Sequence, residues 1–119
     1  MNLLSKEWVQ KTITKLGFTE IDAKVYVFLS TEGSRKARDI AEALNLHRLR
    51  LYRILKKLRS NGLIKASPEY PAFFSAVLFD KVLDIMIDAK KEQHKALQEN
   101  EEILLSTWRS MVKEGSVDS

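Results

Sequence analysis

The chain contains no cysteine, which excludes disulfides, thiolate zinc sites and cysteine nucleophiles together. No window approaches about 18 consecutive apolar residues, and the N-terminus lacks the apolar core of a signal peptide. The two histidines, His47 and His94, lie far apart and pair with carboxylates in no local motif, and no glycine-rich phosphate-binding loop occurs. The missing apolar segments predict a cytoplasmic protein with no membrane partner. The missing cysteines, paired histidines and phosphate-binding loop make an enzyme the weakest hypothesis, with no catalytic residue, metal or cofactor assigned.

Acidic residues are missing between Glu42 and Glu69. A solvated helix face normally mixes charges of both signs, and a helix with uncompensated positive charge repels itself in water. A nucleic-acid backbone is the usual source of the missing negative charge, so double-stranded DNA is the predicted partner. The basic residues of this acid-free stretch are Arg48, Arg50, Arg53, Lys56, Lys57, Arg59 and Lys65.

The net charge of +4 is divided unevenly along the chain. Residues 1–77 carry 14 Lys and Arg against 7 Asp and Glu, whereas residues 78–119 carry 6 against 9. A basic head joined to an acidic tail indicates one role facing a polyanion and another facing a protein. We therefore predict a DNA-binding domain over residues 1–78, a dimerisation helix over 79–114 and a flexible tail over 115–119.

Two helices are predicted near the N-terminus. Ser5 can cap the first, whose apolar residues follow the 3.6-residue period until Gly17 ends it. Thr19 can cap the second, with its hydroxyl accepting from the third amide of the helix while Asp22 reaches back. Trp8 and Trp108 are predicted to be packing residues, and the dimer contact is one site where both could pack.

The next segment has the pattern of a helix-turn-helix. A helix over residues 37–44 is followed by Asn45, which tolerates the left-handed conformation of a sharp helix exit. A basic helix over residues 48–60 begins about three residues later. Residues 63–67 and 72–77 then form a predicted hairpin, since the two prolines between them cannot continue a ladder. The predicted fold is mainly α, an α+β winged helix-turn-helix with a long C-terminal dimerisation helix.

The basic helix has a buried side and an opposite, cationic side when successive residues are spaced by about 100°. Leu51, Leu55, Leu58 and Ile54 form the buried side, and Tyr52 is assigned to the core. Arg50 and Arg53 are candidates for guanine edges, and Leu49 either meets a thymine methyl or packs on the preceding helix. The full predicted DNA-binding set is His47, Arg48, Leu49, Arg50, Arg53, Lys56, Lys57, Arg59, Lys36, Arg38 and Lys65. The hairpin tip offers Glu69 and Tyr70 but no arginine, so only Lys65 is assigned there, to a phosphate.

No proline or glycine interrupts the chain from about Phe79 to Lys113, which predicts one long helix ending at Gly115. Its apolar stripe needs a partner, and polar residues on this coiled-coil seam can fix the register of a homodimer. The alternative is a solvated middle with packing only at the two ends. The predicted dimer-interface residues are Val82, Met86, Ala89, Gln93, Leu97, Asn100, Leu104, Trp108 and Met111.

Several segments together resemble the archaeal TrmB-like transcription regulators. They are the sequences Leu-Gly-Phe-Thr-Glu at 16–20, Ala-Lys-Val-Tyr at 23–26, Ala-Arg-Asp-Ile-Ala-Glu at 37–42 and Leu-Lys-Lys-Leu at 55–58, with Gly-Leu-Ile at 62–64. The resemblance covers roughly residues 10–80 and implies a homodimeric regulator that binds duplex DNA through the helix at 48–60. Larger members carry a sugar-binding domain after the long helix, so a sugar effector is not carried over to a chain ending at Ser119 and any effector stays unknown.

Two positions depart from the family pattern. Lys36 stands where a small capping residue is common, and His47 stands where Pro or Ser is common. Both departures predict less well capped helix starts.

Two other functions remain open from the sequence. One is a non-specific, chromatin-like DNA-binding protein that uses the same basic face. The other is a winged-helix protein–protein module in a transcription assembly, with the tail binding a different chain.

Overall fold

The computed structural model describes residues 3–112, which divide into a first unit ending at Ile85 and a second unit beginning at Met86. The first unit opens with helices α1 (Leu3–Lys15) and α2 (Glu20–Glu32). Helix α1 begins before Ser5, so the prediction that Ser5 caps this helix is wrong: the helical hydrogen-bond pattern extends further toward the N-terminus than the polar residue indicated.

The capping box predicted for α2 is confirmed. The backbone N–H of Asp22 donates to Thr19 Oγ1 at 3.1 Å, and the N–H of Thr19 donates to Asp22 Oδ2 at 2.9 Å. Both groups would otherwise lack an intrahelical partner at the start of the helix, so the two side chains define where α2 begins.

A short strand and two helices form the helix-turn-helix. Strand β1 (Arg35–Lys36) leads directly into α3 (Ala37–Leu44), and α4 (Arg48–Ser60) follows. Between the helices Asn45 adopts φ 52° and ψ 51°, the left-handed conformation that its sequence position predicts. The bounds of both helices are those predicted.

The predicted hairpin consists of β2 (Ile64–Ala66) and β3 (Phe73–Ala76). These strands are antiparallel, with Lys65 opposite Ser75, and β1 joins the other edge of β3, so the sheet order is β1-β3-β2. The order α2, β1, α3, α4, β2, β3, with the hairpin closing this sheet, is that of a winged helix-turn-helix, which confirms the predicted α+β winged-helix fold class.

The core of the first unit is apolar and draws on nearly every element of that unit. Leu51 and Leu58 of α4 are 1% and 0% exposed, which confirms the buried side predicted from helical spacing. Further core residues are Ile13, Val25, Leu29, Ile40, Ile54, Leu55, Leu63, Ile64 and Val82. Trp8, by contrast, is 77% exposed and is not a core residue of this unit, so a dimer contact is the predicted placement of Trp8 that stays open.

The C-terminal region is divided between α5 (Phe79–Glu99) and α6 (Glu101–Met111), rather than forming the predicted single helix. The interruption is Asn100, whose backbone lies at φ −103° and ψ 5° and whose Nδ2 donates to the Ala96 carbonyl at 2.8 Å. Asparagine competes with the backbone in this way, which explains why a helix can break at a residue other than proline or glycine. Lys113 to Ser119, including the predicted stop at Gly115 and the predicted tail, lie outside the described residues.

Helices long and apolar enough to cross a bilayer are not found in the part of the chain that the structure describes. Among the same residues, no group of three or more His, Cys, Asp or Glu side chains is arranged to hold a metal ion.

Candidate nucleic-acid interface

Helix α4 begins at a histidine cap. The Nδ1 atom of His47 accepts from the backbone N–H of Leu49 at 3.2 Å, so the expectation of a poorly capped start is wrong for this helix. An imidazole nitrogen can accept a hydrogen bond as the more usual serine or aspartate oxygen does. For α3 the expectation holds, since Lys36 occupies the cap position without a side-chain hydrogen bond to the helix.

The outward face of α4 is cationic and exposed. Arg50, Arg53, Lys56 and Arg59 are all exposed, and within residues 3–112 none of them forms an ion pair with an acidic side chain. Leu49 is 62% exposed on the same helix, so most of its side chain is accessible at this face. This face therefore presents unneutralised positive charge together with one apolar side chain.

Arg48 and Tyr52 form a pair one helical turn apart on α4. The Arg48 guanidinium lies 5.8 Å from the centroid of the Tyr52 ring, and a hydrogen bond from Arg48 to Tyr52 raises the pKa of the arginine, with a smaller contribution from Tyr70. Tyr52 is 45% exposed, so its assignment to the core is wrong. The ring instead restrains a cation at the N-terminal end of the helix.

A groove of about 480 Å³ lies between α4 and strand β3. It combines two cations with an aromatic and aliphatic lining, and its residues are Tyr52, Leu55, Lys56, Arg59, Ser60 and Phe74. The sequence did not single out Tyr52, Ser60 or Phe74 for binding, because only the packing of the hairpin beside α4 brings Phe74 to this position. Tyr52, Lys56 and Arg59 recur every three or four residues, and that spacing is the signal that could have found this edge.

Lys57 differs from the other cations of α4. Its Nζ lies 2.8 Å from Oδ2 of Asp22 in α2, where the carboxylate side chain is only 4% exposed. The sequence assigned no counter-charge to Lys57, because its acidic partner is 35 residues away along the chain. A phosphate contact by Lys57 stays a prediction that must compete with this ion pair.

The remaining predicted DNA-binding residues are dispersed around α4. Arg38 forms an ion pair with Glu42 at 3.4 Å, but both side chains are largely exposed and the pair contributes little. Lys36 Nζ lies 5.3 Å from the centroid of the Phe73 ring, and Lys65 is exposed on β2. At the hairpin tip Tyr70 is 99% exposed.

The residues predicted for the dimer interface fall into two groups. Val82 belongs to the core of the first unit, and Met86 is 8% exposed, so neither side chain is accessible to a second chain in this conformation. The others are exposed: Ala89, Gln93, Leu97, Asn100, Leu104, Trp108 and Met111. Helix α6 has no buried residue along its described length, although Ile103, Leu104 and Trp108 make it strongly apolar.

Three solved structures have the same architecture. TrmBL2, described as an archaeal chromatin protein with a novel mode of DNA binding, matches with a TM-score of 0.69 and 20% identity, over 96% of this chain and 46% of its own. The ST1889 protein from the thermoacidophilic archaeon Sulfolobus tokodaii matches with a TM-score of 0.62 and 20% identity, over 81% of this chain and 98% of its own. A possible transcriptional regulator from Methanosarcina mazei matches with a TM-score of 0.61 and 15% identity, over 73% and 79%. At these identities the matches show the fold, and this chain spans about half the length of TrmBL2.

The sequence itself identifies the family. No curated protein sequence matches the chain. The family model described as "Sugar-specific transcriptional regulator TrmB" matches residues 13–80, more than half of the chain, from the end of α1 to the start of α5. The chain therefore belongs to the TrmB family of transcriptional regulators.

Proposed function

We propose that this chain is a sequence-selective transcription regulator that inserts α4 into the major groove of duplex DNA as a homodimer. In a helix-turn-helix, the N-terminal half of the second helix contacts base edges. Arg50 and Arg53 occupy that half, and both are exposed without an acidic partner among the described residues. A bidentate contact from either guanidinium to guanine O6 and N7 would provide selectivity.

The observation that carries this proposal is the cationic outward face of α4. Charges left unpaired on a folded surface are repelled by one another, and a phosphate backbone relieves that repulsion. Lys56, Arg59 and the restrained Arg48 are suited to phosphate contacts, which set the register of the helix on the duplex. Lys65 on β2 and Lys36 on β1 extend the same charge to the wing side.

The homodimer is proposed from the exposed apolar residues of α6. Leu104, Trp108 and Met111 are 51%, 51% and 72% exposed, and a helix with such residues at three- and four-residue spacing normally buries them against another helix. A second copy of the chain would cover this surface and hold two α4 helices one or more helical turns apart on pseudo-palindromic DNA.

Salt dependence tests the proposal directly. If each protomer neutralises roughly four phosphates, the dimer should show a slope of log K against log salt of about −7. Fluorescence anisotropy with a labelled duplex, selected from random DNA by the chain itself, would measure it at several salt concentrations. Binding that ignores salt concentration, or no binding at low salt, would contradict the proposed function.

A chromatin-like, non-selective DNA-binding function is the second candidate. It is supported by the structural match to TrmBL2, whose description is that of an archaeal chromatin protein. Unlabelled random-sequence duplex distinguishes the two candidates. If it displaces the selected probe as well as the unlabelled selected duplex does, the non-selective function is favoured.

A further inference from the structure

We infer that Lys57 is a positioning residue that fixes the recognition helix α4 to α2, rather than one of the phosphate contacts. The inference rests on the proposed function, because it concerns how the arginines of α4 are presented to DNA. Its evidence comes from a contact within the first unit: a buried carboxylate, a half-exposed ammonium and an aromatic ring.

One atom joins the two helices. Oδ2 of Asp22 accepts the N–H of Thr19 at 2.9 Å, which completes the cap of α2, and it also accepts from Lys57 Nζ at 2.8 Å. The cap of α2 and the ion pair to α4 are therefore not independent. If Lys57 turns away, the oxygen that caps α2 loses its counter-charge in a buried site.

The ammonium of Lys57 is held from a second direction. Its Nζ lies 5.1 Å from the centroid of the Phe18 ring, and Phe18 is 8% exposed. Phe18 and Asp22 flank the N-terminus of α2, so both partners of the ammonium belong to one rigid corner of the fold. A cation with a carboxylate and an aromatic face as partners is oriented as well as neutralised.

Exchanging this contact for a phosphate would be unfavourable. The Asp22 side chain is 4% exposed. Leaving a buried carboxylate without its cationic partner destabilises the fold by more than a new, exposed lysine–phosphate ion pair would stabilise the complex. Lys56, the preceding residue, is exposed and has no acidic partner among the described residues, so it can turn to a phosphate at no such cost. Adjacent lysines on one helix thus have different roles.

The consequence for DNA concerns Arg53. Arg53 precedes Lys57 by four residues on the same side of α4. The ion pair between Lys57 and Asp22 therefore limits how far the turn of α4 that carries Arg53 can rotate or slide against α2. A base-reading guanidinium must be held within a fraction of an ångström, whereas phosphate contacts tolerate larger displacements. Loss of the Lys57–Asp22 ion pair should therefore lower selectivity between DNA sequences more than it lowers charge-driven affinity for DNA.

Lys57→Met and Lys56→Met form a matched pair, since each removes one positive charge and keeps a linear apolar stem. Anisotropy titrations would compare both variants with the unaltered chain on the selected duplex and on random duplex, across salt concentrations. We expect Lys56→Met to lower the salt slope by about 2 per dimer and to weaken binding to both duplexes alike. Lys57→Met should leave the slope unchanged and reduce the ratio of selected to random affinity by about tenfold, and Lys57→Arg should restore most of that ratio.

Two results would overturn the inference. A salt slope that falls for Lys57→Met as it does for Lys56→Met, with selectivity retained, would make Lys57 a phosphate contact. An unchanged slope and an unchanged selectivity ratio in a destabilised variant would make it a stabilising residue only. If Lys57→Met does not fold, Asp22→Asn tests the same contact while leaving every cation of α4 in place, and retained selectivity in that variant contradicts the positioning role.

Failure of the proposed function gives a different result from failure of this inference. If the unaltered chain binds no DNA, or binds all duplexes equally, there is no base-reading arginine to position and both proposals fall. If the unaltered chain is selective, only the variants decide the role of Lys57. A double-mutant cycle of unfolding with Asp22→Asn and Lys57→Met measures the contact without DNA, and we expect coupling of about tenfold in the unfolding equilibrium constant.

Discussion

The phenolic hydroxyl of Tyr26 in α2 donates a hydrogen bond of 2.6 Å to the carbonyl oxygen of Val77, which directly follows strand β3. The two residues are 51 positions apart, and the Tyr26 ring also lies 6.3 Å from the ring of Phe79 at the start of α5. Tyr26 is 1% exposed. This side chain therefore holds the end of the hairpin against α2, the helix to which Lys57 also binds.

Replacing Tyr26 with phenylalanine should lower the free energy of unfolding by about 1–2 kcal/mol, because the part-buried Val77 carbonyl loses its donor while the ring packing survives. Urea unfolding monitored by circular dichroism would measure the change. Tyr70→Phe is the matched control, since Tyr70 is 99% exposed and loss of its hydroxyl should leave stability unchanged. Equal stability of the two variants would show that the Tyr26 hydrogen bond contributes nothing.

The stability of the chain should also depend on pH through Tyr26. Burial raises the pKa of this phenol above 10.0, the negative charge of Asp80 raises it further, and a hydrogen bond with Ser30 opposes the shift. The unfolded chain then loses the phenolic proton at a lower pH than the folded chain does. The stabilisation is fully present below pH 10 and is lost as the pH rises above the unfolded pKa and through the folded pKa. Unfolding free energies measured on both sides of pH 10 should fall more steeply for the unaltered chain than for Tyr26→Phe, and parallel curves would contradict this expectation.

Arg53→Ala should weaken binding to a selected duplex by about 1–3 kcal/mol more than binding to random duplex, because a lost guanine contact removes base discrimination. Arg59→Ala removes the same charge from the same helix, nearer its C-terminus, and should weaken both duplexes to a similar extent. Competition titrations with the two duplexes would measure both effects. If Arg53→Ala also weakens both equally, Arg53 contacts phosphate rather than bases.

Leu104→Glu should convert the proposed dimer to a monomer, because a carboxylate cannot be buried without a partner in an apolar helix contact. We expect the dimer dissociation constant to rise at least tenfold, as measured by sedimentation equilibrium. Ser106→Glu is the control: it adds the same charge at a position about 200° around α6 from Leu104, away from the apolar residues proposed for the contact, and should leave the dimer intact. A monomeric unaltered chain at micromolar concentration would remove the dimer proposal.

Removing the histidine cap should destabilise the chain slightly. His47→Ala leaves the Leu49 amide without its side-chain acceptor, and we expect a loss of about 0.5–1 kcal/mol in the free energy of unfolding. His47→Ser offers a hydroxyl in place of Nδ1 and should restore or exceed the original stability. Thermal unfolding of the three chains would measure the series, and a serine variant no better than alanine would show that the cap is unimportant.

The sequence predicted those parts of the fold that depend on local chemistry. Thr19 and Asp22 form a complete capping box within four residues, and Asn45 has the side chain suited to a left-handed helix exit. Periodic leucines defined the buried side of α4 because a helix of that length has one face toward the core. These signals are contained within one or two turns of chain, so the bounds of α3 and α4 followed from them.

Contacts across the fold could not be predicted in the same way. Helical spacing places Lys56 opposite the core and Lys57 at an edge of the cationic side, but the partner of Lys57 is on another helix and nothing within residues 48–60 identifies it. The groove beside Phe74 likewise requires the hairpin to be folded onto α4. The break at Asn100 depends on whether its side-chain amide donates back to the Ala96 carbonyl. A search of the sequence for proline and glycine does not detect this hydrogen bond.

The shared oxygen of Asp22 also constrains how this protein can diverge over evolution. A neutral residue at position 57 would leave the Asp22 carboxylate, which caps α2, buried without its counter-charge. A neutral residue at position 22 would leave the Lys57 ammonium beside Phe18 without its carboxylate partner. Either substitution alone gives an intermediate sequence that is less stable than one in which both residues are kept. The acid and the base should therefore be inherited as a unit among related chains, whereas the neighbouring Lys56, which has no acidic partner among the described residues, can be replaced without leaving a buried charge unpaired.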